Sequence, residues 1–126
     1  MTPIVVVAAV IEREGAFLIT LRPDGTHLAG TWEFPGGKVQ SPETHAEALR
    51  RELAEELDIV GDVGVLVHTV THSYPEKTVE LFFFRCDFTG HPTSMMGQQM
   101  RWVRREELGA LSFPEADRDL IRQLST

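Results

Sequence analysis

A mixed β-sheet carrying helices on both faces, an α/β fold, is what this sequence predicts, and three observations lead there. Two runs, residues 3–11 and 78–88, are rich in β-branched or aromatic residues that are apolar in consecutive positions, the pattern of strands buried on both sides. One amphipathic helix interrupts the strands in mid-chain, and a second helical segment closes the sequence. Strands, a helix, more strands and a terminal helix bury their apolar faces together when the helices cover opposite sides of a sheet.

In chain order, residues 3–11 (PIVVVAAVI) form the first strand, residues 12–15 a turn and residues 16–21 a returning strand, so the chain opens with a hairpin. Residues 22–30 are polar and broken by Pro23, Gly25 and Gly30; this loop carries Arg22 and His27 to the edge of any nearby pocket. Residues 32–37 are a short strand running into a glycine turn at Gly36 and Gly37. Thr44, followed three residues later by Glu47, is a capping box that opens a helix over 45–57, with Ala46, Leu49, Leu53 and Leu57 on one apolar stripe.

Beyond the helix, residues 62–71 read as a strand, residues 72–77 with Pro75 as a loop, and residues 78–88 as a central strand through Leu81, Phe82, Phe83 and Phe84. A loop over 89–99 leads to a last strand at 100–103 and a short helix at 104–108. Ser112 with Glu115 is a second capping signal, which opens a terminal helix running to about Leu124.

With 126 residues the chain predicts one domain, residues 1–126. Its net charge of −7 argues against polymeric DNA or RNA, whose binding draws on Lys and Arg neutralising phosphates, but leaves room for a single nucleotide delivered with its own cation. Cys86 is the one cysteine, which excludes a disulfide framework and a cysteine-type zinc site and fits a reducing compartment. The apolar start is too short to span a bilayer and lacks a basic leader, so a cytoplasmic protein without membrane contact is expected.

The chemistry concentrates between Gly36 and Ile59. At 100° per residue Glu52, Glu55 and Glu56 span an arc of about 100° beside the apolar stripe. Like charges at that spacing cost roughly 0.2–0.5 kcal/mol per pair. Arg51 can orient one carboxylate. A hard divalent cation with oxygen ligands, Mg²⁺ or Mn²⁺, would offset the rest, with a backbone carbonyl from the glycine turn completing its shell. The structural alternative is a solvated Glu-rich helix face, and the spacing of the whole segment weighs against it.

That spacing resembles the Nudix box: Gly, five residues, Glu, seven residues, Arg-Glu, an aliphatic, one residue, Glu-Glu, one residue, Gly and an aliphatic. Gly37, Glu43, Arg51, Glu52, Leu53, Glu55, Glu56 and Ile59 match, with Asp58 in place of the last Gly, so eight of nine defined positions fit over 23 residues. Asp58 falls at the helix end, where a left-handed residue is common and Asp is tolerated. The resemblance implies a Nudix-type α/β/α sandwich of the MutT kind, a single hydrolase domain. It implies metal-dependent hydrolysis of a nucleoside triphosphate to monophosphate and pyrophosphate. The substrate it implies first is 8-oxo-dGTP, in sanitation of the nucleotide pool and so in DNA repair, with (d)CTP as the alternative. By the same resemblance Glu56 and the carbonyl of Gly36 hold the metal, Glu55 is another ligand, Glu52 ligates or acts as general base, and Arg51 orients them.

Arg22, His27, Phe34, Pro35, Gly36 and Gly37 also line up with substrate-contacting positions of MutT-type enzymes. Asp117 stands where the bacterial oxidised-guanine enzyme reads the base with Asn. An ionised Asp only accepts hydrogen bonds, which favours the N1 and N2 edge of guanine or the N4 amino group of cytosine; its structural alternative is a first-turn helix residue favoured by the dipole. One departure stands out: members commonly carry a Glu six residues before the Trp of the last strand, and here that position is Met96. The metal site then has one carboxylate fewer unless Glu76, Glu80 or another residue supplies it. A weakly active module that binds a nucleotide is the competing reading, supported by Met96 and opposed by Glu52, Glu55 and Glu56. The expected partner is a small-molecule nucleotide, and the expected assembly a monomer or homodimer.

Overall fold

The computed structural model describes residues 2–126. Strand β1 (Ile4–Val10) organises the first of two four-stranded sheets. The sheet's other strands are β5 (Gly36–Lys38), β6 (Val60–Tyr74) and β7 (Lys77–Thr89), in the order β5-β1-β7-β6. The β1–β7 pair is parallel and the others antiparallel, so the sheet is mixed, as expected. The second sheet is built on β3 (Ala16–Leu21). Strands β2 (Glu12–Arg13) and β4 (Trp32–Glu33) pair with its two ends, and β8 (Met100–Arg104) runs along its length.

Alternate side chains of a strand leave on opposite faces, and β1 uses both. Val7 and Ala9 join Leu49, Leu53 and Leu57 of α1 (His45–Leu57) in one core; Ala8 and Val10 join Phe17, Ile19 and Phe83, with Leu120 and Leu124 of α2 (Arg118–Leu124), in another. The two helices therefore cover opposite faces, and the layered sandwich expected from the sequence is present. Burying each leucine of α1 contributes roughly 1.5–3 kcal/mol. Thr44 and Glu47 form the reciprocal capping box, and α1 ends at Asp58 in the left-handed conformation (φ 56°, ψ 40°). Ala48, not Ala46, completes the buried stripe. Among the described residues no helix is long and apolar enough to cross a membrane.

Several local expectations need correction. The opening hairpin does not pair β1 with β3: the chain leaves the first sheet at Ile11, and only the two-residue β2 returns against β3. The β6–β7 hairpin is longer than expected and turns on Pro75 and Glu76 alone, because Ser73↔Thr78 and Tyr74↔Lys77 still pair. The short helix of 104–108 is a 3₁₀ helix at Arg105–Ala110. Ser112 caps nothing; its carbonyl accepts from Trp32 N–H (2.8 Å). Pro114 is extended (φ −58°, ψ 149°), and the chain coils only from a 3₁₀ turn at Glu115–Asp117 into α2. A proline disfavours helical geometry at the residue before it, which removes the expected start at 113.

The largest correction concerns Gly36 and Gly37, which form no turn but strand β5, with Gly37 opposite Val7 and Gly36 opposite Ala8. Neither has positive φ. They are needed for close approach: a Cβ on Gly36 would overlap the carbonyl oxygen of Val7, a backbone atom that cannot swing aside. Gly36→Ala is therefore expected to destabilise the fold by about 1–3 kcal/mol or more, as overpacking does. An unchanged urea midpoint would show that β5 can move away from β1.

Candidate active site

The site is assembled where β5 passes the middle of α1. A Cβ on Gly37 would overlap the carboxylate of Glu52, so the bare glycine lets the helix carboxylate lie directly on the strand. Arg51 ties the two elements together. Its Nε and Nη2 donate to both carboxylate oxygens of Glu43 (2.6 and 3.0 Å), Nη2 also to the carbonyl of Lys38 (3.0 Å), and Nη1 to Glu52 (2.8 Å) and Glu55 (3.3 Å). Those hydrogen bonds, Glu43's foremost, hold the guanidinium pKa well above its usual range, and the same contact lowers that of Glu43. Charge-assisted, two-pronged pairs of this kind are the strong class.

The three helix carboxylates have different surroundings. Glu55 is mostly exposed and leans on Arg51; Glu52 is tucked under Gly37 with its side chain 15% exposed. Glu56 is inward-facing. Burial pushes it up to about 8, helped by the charges of Glu33 and Glu52, while a hydrogen bond from the backbone of Gly36 opposes the shift. Gly36 thus lies beside Glu56, the residue with which it is expected to share a metal.

Glu56 borders a cleft of about 390 Å³ whose floor is the inner face of the first sheet, with Val6, Ala8, Val79, Leu81 and Phe83. Arg22, His27, Phe34, Gly36, Gly37 and Asp117 also border it, so predicted residues from four separate segments meet there, while Arg51, Glu52 and Glu55 lie outside its lining. Pro35 does not line it: it is buried, and its carbonyl accepts from Ala9 N–H (2.8 Å). Phe34 is 3% exposed, stacks on Phe113 and meets Phe83 edge-on, so it acts as wall more than as contact. Arg22 is held by the carbonyl of His27 (2.5 Å) and by Glu33 (3.0 Å). His27 leaves Nε2 buried with no protein partner, while Nδ1 lies 3.7 Å from Glu76.

Asp117 is 6% exposed and, although it is the N-cap residue of α2, makes no side-chain capping bond. Burial, then the charge of Glu33, pushes its carboxyl up to about 7. At neutral pH it is therefore acid about as often as carboxylate, and the expected acceptor-only character holds only on the alkaline side. Met96 also borders the cleft. Its loop docks on the end of α1, where Thr93 N–H reaches the carbonyl of Leu57 and Met95 N–H that of Glu56 (both 2.9 Å). These bonds satisfy two carbonyls that a helix end leaves free.

The Glu56 carboxyl, raised first by burial and then by the charges of Glu33 and Glu52, is an oxygen donor that suits a hard dication, which would favour its ionised form. Among the described residues no three acidic or histidine side chains already converge as a metal cage. Glu55, turned out onto Arg51, would have to rotate inward to join Glu52 and Glu56. Sequence reasoning did not include Glu33 or Tyr74, and placed Lys38 and Lys77 nowhere near a site; all four line the cleft. The one signal for Glu33 is a carboxylate between Trp32 and Phe34, three residues before Gly36.

A family profile described as a NUDIX domain matches residues 6–123. The 8-oxo-dGTP diphosphatase of Haemophilus influenzae is 39% identical over 121 residues, covering 94% of this chain and 89% of that protein. The CTP pyrophosphohydrolase of Escherichia coli is 40% identical over 121 residues, covering 95% and 88%. The solution structure of the E. coli ORF135 protein matches with a TM-score of 0.86 at 37% identity, over 97% of this chain and 88% of that one.

The raised Asp117 has a consequence for stability. An ordinary Asp ionises near 3.8, this one near 7, so between those values the folded chain keeps a proton the unfolded chain has lost. The stability tied to that proton is fully present below about 3.8 and is lost as pH rises through about 7. Asp117→Asn has no such proton to lose, so its stability relative to the parent should rise between about pH 4 and pH 8. Urea midpoints of both proteins across that range check this; a constant difference would contradict the assignment.

Proposed function

The chain belongs to the Nudix family, and from that premise we propose that it hydrolyses nucleoside triphosphates to the monophosphate and pyrophosphate, with 8-oxo-dGTP as the leading substrate. It is an enzyme of the phosphoanhydride-cleaving kind that its relatives represent. The observation that carries the proposal is a single cleft with the Glu56 carboxylate at one part of its lining and Asp117 at another, joined by an apolar floor. Acidic groups for a metal and polar groups for a base then border the same ligand. CTP is the second substrate reading, because the relatives named for the two activities are almost equally similar.

Nudix hydrolases use divalent metal ions, and in this chain Glu52, Glu55 and Glu56 would hold one, Mg²⁺ or Mn²⁺. When bound it supplies charge neutralisation for the phosphates and a lower barrier to ionising the attacking water. The protein's own residues do the rest. Arg51, fixed by Glu43, sets the direction of Glu52, the carboxylate that takes a proton from water. The Glu33-held guanidinium of Arg22 offers donors to oxygens of the nucleotide, and His27 borders the same cleft. Apolar residues of the floor keep water from the rest of the ligand. Asp117 reads the base, as acceptor when ionised and as donor when protonated.

A panel of 8-oxo-dGTP, dGTP, CTP and dCTP with Mg²⁺, followed by pyrophosphate release, tests the proposal. The expected order puts 8-oxo-dGTP first, and Glu56→Gln should reduce turnover on every member by an amount on the order of several kcal/mol while the fold is retained. CTP first would move the assignment to the second reading. Wild-type turnover in the variant, with normal metal dependence, would remove Glu56 from the site.

A further inference from the structure

The β6–β7 hairpin brings to the cleft a residue that the box and the flanking segments leave unassigned. Tyr74 is the last residue of β6, paired with Lys77 across the Pro75–Glu76 turn. Tips of such hairpins are ordinarily polar and solvated, yet this one places a half-buried aromatic ring in the cleft lining. The ring is steadied from two directions: His27 meets it at 90° with centroids 4.7 Å apart, and His72 meets it at 60° and 4.6 Å. His27 comes from the opposite loop, so the contact joins two segments that border the same cavity.

Strand β6 packs against the 3₁₀ turn that carries Asp117, and Tyr74 and Asp117 line the same cleft, whose lining does not include Glu52 or Glu55. Burial raises the pKa of the Tyr74 hydroxyl, and the charge of Asp117 adds to that rise. The ring thus stands at the part of the cleft that, on the functional reading above, receives the base. Asp117, Arg22 and Glu33 offer only polar edges there, and Phe34 is consumed by its contacts with Phe83 and Phe113. We propose that the Tyr74 ring is the aromatic surface against which the nucleobase packs, making it a determinant of nucleoside affinity that leaves the phosphate chemistry untouched. The proposal rests on the nucleotide-hydrolase reading and deepens it.

Packing of a base on an aromatic ring is lost when the ring is replaced, typically by about 5- to 150-fold in affinity. The test compares Tyr74→Leu, which keeps apolar bulk for the hairpin but has no π-face, with Tyr74→Phe, which keeps the face. Dissociation constants are measured by calorimetry for a nucleoside monophosphate, CMP or 8-oxo-dGMP, and for inorganic tripolyphosphate, each with Mg²⁺. Tyr74→Leu should weaken the nucleotide within that range and leave tripolyphosphate as in the parent, and Tyr74→Phe should restore nucleotide binding. Two results overturn the proposal: undiminished nucleotide binding in Tyr74→Leu, or equal losses for both ligands, which would make the ring a prop for the hairpin. A parent protein that binds tripolyphosphate but no nucleotide would instead overturn the functional reading itself, and the role of Tyr74 with it.

Discussion

Everything that gives this site its shape depends on one contact, the guanidinium of Arg51 bridging strand β5 and helix α1. A single side chain holds the carbonyl of Lys38 on the strand, both oxygens of Glu43 before the helix, and Glu52 within it. Planar, five-donor geometry is what allows it; lysine, with a point charge, could not hold the strand and two carboxylates in fixed directions at once. The contact works only because Gly37 leaves no side chain between strand and helix, so that Glu52 lies against bare backbone. Gly36, one residue earlier, presses on β1 in the same way. Two glycines and one arginine thus transmit the position of the central sheet to the helix that carries the acids.

A second consequence is electrostatic. With Arg51 committed to Glu43 and Glu52, and Arg22 to Glu33, both arginines near the cleft are already paired, while half-buried Glu56 and buried Asp117 sit beside further acids. Both have raised pKa values, burial being the largest cause. Burial next to other acids disfavours the ionised forms, and a ligand that brings positive charge favours them, the arrangement expected where a polyanion arrives with its own cation. The negative net charge of the chain, which argued against polymeric nucleic acid, is in keeping with this.

The fold was legible in the sequence wherever local chemistry decided it. The capping box at Thr44, the end at Asp58, the double-faced strands β1 and β7 and the mixed sheet followed from residue type and period. What local chemistry could not supply was pairing. Nothing in residues 12–21 says that the chain changes sheets at Ile11, and the glycine pair reads as a turn unless the neighbouring backbone is known. In the site, the acids and Arg51 were legible through their spacing, and Arg22, His27 and Asp117 through resemblance. Glu33 and Tyr74 were not, because each owes its place to a contact across the cleft from a segment distant in sequence. Pro35 was over-read: its neighbours face the cleft while its own carbonyl faces β1.

The strand–helix contact, and not the helix alone, sets the geometry of the acids. Gly37→Ala tests it most directly, since the added methyl meets the movable end of Glu52 while the strand's backbone pairing can persist. Mn²⁺ affinity, read by electron paramagnetic resonance titration, should fall by about 10- to 100-fold, as when a supporting contact of a metal ligand is disturbed. The thermal midpoint measured without metal should stay near that of the parent. Parental Mn²⁺ affinity in a folded Gly37→Ala protein would contradict the claim and return control of the site to the helix.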